Sequence, residues 1–361
     1  MANQDNLDSI RNQIDNLDLQ IQDLINQRAA VAKEVAKIKL EEDKDAFFYR
    51  PEREAAILKR IQKRNKGPMG DEEMARLFRE IMSSCLALEQ PMKVAYLGPE
   101  GTFTQAAALK HFGHSVITVP MSSIPDIFRD VESGTAHYGV VPVENSTEGV
   151  INHTLDTFIT SSLFICGEVM LRIHHHLLSQ ESDLSAVTKV FSHQQSLAQC
   201  RLWLDRNLPD AEQITVGSNA EAARMVLGIS NSAAIAGEMA AELYQLKGLA
   251  RNIEDEPNNT TRFLVIGRQK AGPSGEDKTT LLCATRNVAG GLGALLEPLA
   301  KHGISMSRIE SRPSRQGNWD YVFFIDIEGH QDDKNVKEAL NDLKIETRYF
   351  KVLGSYSYAV L

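Results

Sequence analysis

Residues 7–39 read LDSIRNQIDNLDLQIQDLINQRAAVAKEVAKIK. Within them Leu7, Ile10, Ile14, Leu17, Ile21, Leu24, Arg28, Val31, Val35 and Ile38 trace one seam at alternating spacings of three and four, and only Arg28 is not apolar. That spacing predicts a long helix whose apolar stripe packs on other helices. A helix of about 34 residues extends about 50 Å, too long for two shorter helices to cover, so its exposed seam predicts an intertwined homodimer. A guanidinium inside such a stripe is costly unless an anion meets it there. Lys39 joins the same stripe by the steps Arg28, Ala32, Val35, Lys39. Two cations facing a helical core read either as a pocket for a small dianion or as an internal ion pair with a carboxylate from a neighbouring helix.

Outward from the seam, Pro51 marks a second helix start, with Ile57, Leu58 and Ile61 on one face. After the turn NKGPMG at 65–70, Asp71 is placed to cap a third helix, whose apolar face is Met74, Leu77, Phe78, Ile81, Met82 and Leu88. Gln90-Pro91 ends this segment, so residues 1–91 form an all-helical domain. From Lys93 the pattern becomes α/β. Strand-like runs KVAYLG, HYGVVPV, AEQITVG and RFLVIG alternate with helical stretches, which predicts mostly parallel sheets in one domain or two lobes over 92–270. The stretch AGPSGED at 271–277 is a linker by composition. Residues 278–361 then alternate as βαββαβ, a ferredoxin-like unit.

At 361 residues the chain is expected to hold two or three domains, each with its own core. A net charge of -9 without a long basic block argues against nucleic acid as a partner. No apolar stretch approaches a membrane span, and the opening MANQDNLDSI is polar and acidic, unlike a signal peptide. Cys85, Cys166, Cys200 and Cys283 are scattered, which reads as reduced thiols in a cytoplasmic protein.

Arg11, Arg28, Lys39 and the pair Arg53-Glu54 fall in the order and spacing of the all-helical chorismate mutases, a family that residues 1 to about 90 resemble. Chorismate carries two carboxylates and rearranges within itself to prephenate, so such a site must hold a compact conformer and stabilise charge on the ether oxygen. The resemblance implies that Arg28 and Arg11, the latter from a second copy, bind the carboxylates with help from Arg53. Lys39 then donates to the ether oxygen and Glu54 holds the ring hydroxyl. Two positions depart from the family. Where a serine and a glutamine are usual, this chain has Cys85, with Ser84 adjacent, and Glu89. A glutamine amide donates to the ether oxygen, whereas a carboxylate cannot, so Glu89 must be protonated to serve.

Residues 93 to about 268 carry YLGPEGTFT at 96–104, PVENS at 142–146, SHQQ at 192–195 with Gln199-Cys200, and TTRF at 260–263. These four ordered strings resemble prephenate dehydratase, which implies a bilobed, periplasmic-binding-protein-like α/β domain that turns prephenate into phenylpyruvate, carbon dioxide and water. By that resemblance Thr261 lies closest to the leaving hydroxyl, and Arg262 fixes the geometry or binds carboxylate. Asn145, Ser192 and Gln199 map to the pocket, with Glu144 and Thr102 nearby in sequence; Asn145 also reads as a turn-former. The run His174-His175-His176 sits in a strand-like stretch, 171–178, where alternating side chains cannot share one ion, so no metal and no cofactor is expected.

The last unit resembles the ACT domain, a small-molecule regulatory module. Residues 287–292 (NVAGGL) stand where phenylalanine-binding members have proline-glycine-alanine-leucine, departing at Ala289 and Gly291, while Glu310-Ser311-Arg312-Pro313 matches the second motif. The resemblance implies L-phenylalanine bound by Asn287, Gly290, Gly291, Leu292, Glu310 and Ser311 as an allosteric inhibitor. Together the three resemblances imply a bifunctional mutase–dehydratase. Rival readings are a dehydratase acting on arogenate, a dehydratase with an inactive mutase domain, and a non-catalytic amino-acid sensor.

Overall fold

The chain is described from a computed structural model over residues 2–42, 48–285, 288–314 and 321–361, with side chains from residue 6. The first helix, α1 (Ala2–Glu42), is 41 residues long and longer than the periodicity requires. Along it Leu7 to Leu24 stay solvent-facing, with Leu24 63% exposed, so the seam predicted to pack on helices is bare in one chain. Only the C-terminal part of α1 meets α2 (Pro51–Arg64) and α3 (Asp71–Glu89), and Ala36 is the residue of α1 that becomes buried. Asp71 stands at the first helical position rather than at the cap, which Gly70 occupies. The apolar centre of this unit is small: Leu58, Ala75 and Met82, joined by Val360 and Leu361 from the far end of the chain.

The next unit begins with β1 (Lys93–Leu97), α4 (Phe103–Phe112), β2 (Ile117–Met121), α5 (Ile124–Ser133), β3 (Tyr138–Asn145), β4 (Gly149–Val150), α6 (Asn152–Thr160) and β5 (Phe164–Arg172). The chain then crosses to a second lobe made of β6 (His176–Ser179), β7 (Lys189–Ser192), α7 (Gln194–Gln199), α8 (Arg201–Asn207), β8 (Glu212–Thr215), α9 (Asn219–Met225), β9 (Ser232–Ala236), α10 (Glu238–Tyr244) and β10 (Lys247–Ala250). It returns to the first lobe as β11 (Thr260–Gly267).

Sheet order is β2-β1-β3-β11-β5 in the first lobe and β10-β6-β9-β7-β8 in the second. The sheets are mixed, not mostly parallel: β11 runs antiparallel to both β3 and β5, and β6 antiparallel to β9 and β10. The reason is the double crossing, since a strand arriving from the other lobe enters its sheet from the opposite end. The stretch 171–178 is likewise not one strand. It is the first crossing, broken between Arg172 and His176.

The third unit is β12 (Asp277–Ala284), α11 (Gly291–Lys301), β13 (Met306–Pro313), β14 (Tyr321–Glu328), α12 (Lys334–Glu346) and β15 (Tyr349–Ser357), an antiparallel sheet of order β13-β14-β12-β15. This is the expected βαββαβ. One face of the sheet, with Leu281, Cys283, Ile325 and Ile327, packs under α11 and α12. The other, with Leu282, Phe324, Leu353 and Tyr356, shares a core with Ile127, Phe158, Ile165 and Leu264 of the first lobe. The connecting residues are themselves packed: Ala271 is buried and its carbonyl meets His330 Nε2 at 3.2 Å.

Sheet meets sheet most closely at Gly354, where a Cβ would lie 2.2 Å from the carbonyl oxygen of Ile165. Backbone cannot yield as a side-chain tip does, so Gly354→Ala is expected to cost about 3 kcal/mol of unfolding free energy. Gly67→Ala, whose Cβ meets only an ordinary contact at 3.8 Å, should be near neutral. Urea midpoints of the two variants measure the difference.

Candidate functional site

The first site is a cavity of about 310 Å³ between α1, α2 and α3. Arg28 and Lys39 reach it from α1, Arg53 and Glu54 from α2, and Cys85 and Glu89 from α3. The sequence brings them together because Arg28, Ala32, Val35 and Lys39 lie on one helical stripe, and all four line the cavity. Phe48, Tyr49 and Arg50 close the wall from the segment ahead of α2, which periodicity could not indicate because they precede the helix. The Lys39 ammonium stands 5.6 Å over the Phe48 ring.

Arg11 does not reach this cavity. It is exposed on α1, paired with Asp8 at 3.3 Å, and lies 17 residues before Arg28, about 26 Å along the helix axis. Ser84 also faces elsewhere: its hydroxyl meets Ser115 of the second unit at 3.0 Å, so only Cys85 of that pair faces the cavity. Burial raises the Glu89 carboxyl above its ordinary pKa, with Lys39 and Arg28 opposing. Burial likewise pushes Glu54 up to about 7, against the pull of Arg79 and Arg28.

The second site lies where the two lobes meet. Cross-strand register places Thr261 of β11 opposite Asn145 of β3. Asn145 Nδ2 donates to Thr261 Oγ1 at 2.8 Å and to Asn259 Oδ1 at 2.8 Å. Asn145 Oδ1 accepts from the Thr147 amide, the Thr147 hydroxyl and the Glu148 amide, so the turn-forming role and the site role coexist in one side chain. Asn259 Nδ2 donates onward to Gln199 Oε1 at 3.0 Å, which His175 Nε2 also meets at 2.9 Å. Gln199 Nε2 donates to Thr147 Oγ1 at 3.1 Å. With its oxygen accepting from Asn145, the Thr261 hydroxyl keeps its own proton for another acceptor.

Four other expected residues sit differently. Ser192 is buried and donates to Asn219 Oδ1 and the Ile235 carbonyl, both at 2.9 Å, which steadies the start of α9. Thr102 caps α4, accepting from the Gln105 amide and donating to the Leu97 carbonyl. Arg262 and Glu144 are the corrections. Neighbouring residues on a strand face opposite ways, so they point away from the cleft that Thr261 and Asn145 face. Arg262 bonds Glu168 at 2.9 Å, Asp326 at 2.6 Å and Tyr356 at 3.0 Å, and Glu144 pairs with Arg308 at 3.0 Å. Both therefore hold the third unit rather than a substrate.

The histidine run splits three ways: His174 to Glu254, His175 to Gln199 and His176 to Glu238. In the third unit Gly290 precedes α11 in the left-handed region at φ +83, Gly291 opens the helix, and Leu292 is 43% exposed. Glu310 and Ser311 lie on the edge strand β13, on opposite faces. Asn287 lies outside the described residues.

A cation-lined helical cavity, a two-lobed α/β cleft and a ferredoxin-like sheet docked on one lobe define a multidomain metabolic enzyme with a regulatory module. Three family models match in that order: chorismate mutase type II over 10–90, prephenate dehydratase over 94–271 and the ACT domain over 279–344. A bifunctional chorismate mutase/prephenate dehydratase of Stutzerimonas stutzeri is 57% identical, with all of both chains covered. One of the same description from Pseudomonas aeruginosa is 56% identical over the same span. The solved prephenate dehydratase of Arthrobacter aurescens, in complex with L-Phe, is 35% identical, with TM-score 0.69 over 74% of this chain and 90% of that one. The chain belongs to the family of bifunctional chorismate mutase/prephenate dehydratases.

Because Glu89 donates only when protonated and its pKa is raised, the alkaline limb of mutase turnover should fall as pH rises through that pKa. Glu89→Gln keeps a donor at every pH and should flatten the alkaline limb, as read from chorismate consumption between pH 5 and 9, a range of about four units around neutrality.

Proposed function

We propose that the chain performs two consecutive steps of phenylalanine biosynthesis, chorismate to prephenate and prephenate to phenylpyruvate, under inhibition by L-phenylalanine. The observation that carries this is the convergence of Arg28, Lys39, Arg53 and Glu54 on one cavity. Two carboxylates need cations, an ether oxygen needs donors and a ring hydroxyl needs an acceptor, and that cavity supplies each. In this scheme Arg28 and Arg53 hold carboxylate, Lys39 and protonated Glu89 donate to the ether oxygen, and Glu54 accepts from the hydroxyl. Arg11 completes the site from a second copy, whose helix would cover the bare seam between Leu7 and Leu24. The unit is thus a homodimer or larger assembly acting in the cytoplasm, with domains at 1–91, 92–270 and 278–361.

In the dehydratase step the bond from the ring to its carboxylate breaks and its electron pair enters the ring. The ring C–O bond breaks in turn, and the departing hydroxyl takes a proton to leave as water. A proton donor at that oxygen is what a protein can add. In this scheme Thr261 donates its hydrogen bond there, a role supported by the Asn145, Asn259 and Gln199 bonds that fix its orientation. Feeding chorismate while following prephenate and phenylpyruvate tests the reading. Thr261→Val should cut phenylpyruvate formation by about 10²–10⁴-fold while prephenate accumulates. A sensor without catalysis would form neither product.

L-Phenylalanine is proposed to bind around Asn287, Gly290, Gly291, Leu292, Glu310 and Ser311, and the Arthrobacter relative solved with L-Phe supports that ligand. Strand β13 carries the effect inward. Its Arg308, Glu310 and Arg312 share one face, and the two arginines grip Glu144 and Asp156 at 3.0 and 2.8 Å. Glu144 is next to Asn145, so a shift of β13 reaches the group that orients Thr261. Arg308→Ala should leave uninhibited prephenate turnover intact and raise the phenylalanine concentration for half-inhibition by about tenfold, measured by dehydratase assays over an inhibitor series.

A further inference from the structure

Glu54 has two sides. One opens on the 310 Å³ cavity, and the other on an interior void of about 30 Å³, room for a single water. Arg79 of α3 stands on that inner side, and sequence reasoning gave it no role. Its Nε lies 3.3 Å from Glu54 Oε1, an ion-pair distance, and its buried N–H makes no hydrogen bond among the described residues. Its Nη1 donates to the Lys110 carbonyl at 2.7 Å. That carbonyl is in the last turn of α4, where helix carbonyls lack internal partners and a cation is favoured. The two helices approach closely here: a Cβ on Gly113, just past α4, would lie 2.5 Å from Cβ of Ser83 on α3.

We propose that Arg79 is a positioning residue of the mutase reaction: anchored on the dehydratase domain through Lys110, it holds the Glu54 carboxylate charged and directed into the mutase cavity. The inference rests on the mutase reading above and adds to it that the dehydratase domain builds the back wall of the mutase site.

The groups facing Glu54 leave this role to Arg79. Arg28 of α1 reaches it from the cavity side with the weaker effect. Tyr49, ahead of α2, donates to or accepts from His111 Nε2 at 3.0 Å and stays neutral in its buried position. His111 of α4 is held uncharged, its pKa pushed down to about 3 by burial and by Arg79. Glu168 of β5, across the void, is consumed by Arg262 and Lys278. Burial also raises the Cys166 thiol of β5 and the Tyr358 hydroxyl near the chain's end, so both are neutral.

The sign follows directly. Burial raises the Glu54 pKa and Arg79 lowers it, so removing the guanidinium raises it further. The carboxylate is the form that accepts from a ring hydroxyl, so mutase activity climbs with pH through this pKa on the acid side of its profile.

The test uses the full chain with Arg79→Gln and Arg79→Lys, recording kcat/KM for chorismate against pH and, separately, prephenate turnover. Arg79→Gln should lower mutase kcat/KM by about tenfold at neutral pH and move the acid limb up by about one pH unit. Arg79→Lys should leave the limb near its original position, and prephenate turnover should be unchanged in both. A drop in mutase activity without movement of the limb, or a parallel loss of dehydratase activity, would show a merely structural role and overturn the proposal. If the unaltered chain does not consume chorismate, the mutase reading itself falls, and this role with it.

Discussion

The register between β3 and β11 is the constraint on which most else depends. It sets Asn145 opposite Thr261 and, one step along, Glu144 opposite Arg262. Because strand side chains alternate, the first pair faces the cleft and the second faces the ACT sheet. A slip of one residue would exchange them, turning a buried arginine into the cleft and the hydroxyl that bonds Asn145 out of it. Two short motifs thereby do two jobs each. The same two strands that orient the Thr261 hydroxyl also carry the anchors of the ACT domain, with no intermediate element between them.

That geometry explains which parts of the site were legible from sequence. Arg28 and Lys39 were, because helical spacing puts them on one stripe; Arg53 and Glu54 were, through the resemblance to the chorismate mutases; and Asn145 and Thr261 were, because their strings are specific. Glu144 and Arg262 were not separable from that pocket in sequence, because the strand-like runs there end at Val143 and begin at Arg262; β3 and β11 extend to Asn145 and back to Thr260, and adjacent residues on them face opposite ways. Arg79 carried no signal. It looks like one charge among many on α3, and only the docking of α4 against that helix, with Gly113 beside Ser83, makes it buried. The mixed sheets were hidden for a similar reason, since no local pattern announces that the chain leaves a lobe and returns.

The first domain shows what a single chain leaves undone. Its apolar centre is three buried residues flanked by Ile57 and Phe78 and joined by Val360 and Leu361, while the α1 seam lies in solvent. Patches of this extent mark an interaction surface. One end of the domain is therefore held by the chain's last residues and by α4, and the other presents the bare apolar seam of α1. Gln62 bonds the Val360 carbonyl and Lys59 pairs with Glu276, so α2 is tied to the ACT domain as well as to the dehydratase. All three domains thus meet around the void behind Glu54.

The ACT interface combines two kinds of contact that divide the work between them. Leu282, Phe324 and Leu353 bury apolar area against the first lobe, and apolar contact stabilises without strongly choosing an orientation. Arg262, Lys278, Glu168 and Asp326 form a buried network of two cations and two anions, with Thr280 and Tyr356 filling the remaining hydrogen bonds. Such a network returns little net stability after desolvation, but breaking any one member strands a buried charge. It therefore resists sliding of the ACT sheet over the lobe far more than it strengthens docking. The Arg308–Glu144 and Arg312–Asp156 pairs of β13 stand outside that network as separate contacts with the first lobe. Of the two edge strands of the ACT sheet, β13 is the one that holds Glu144 beside the cleft.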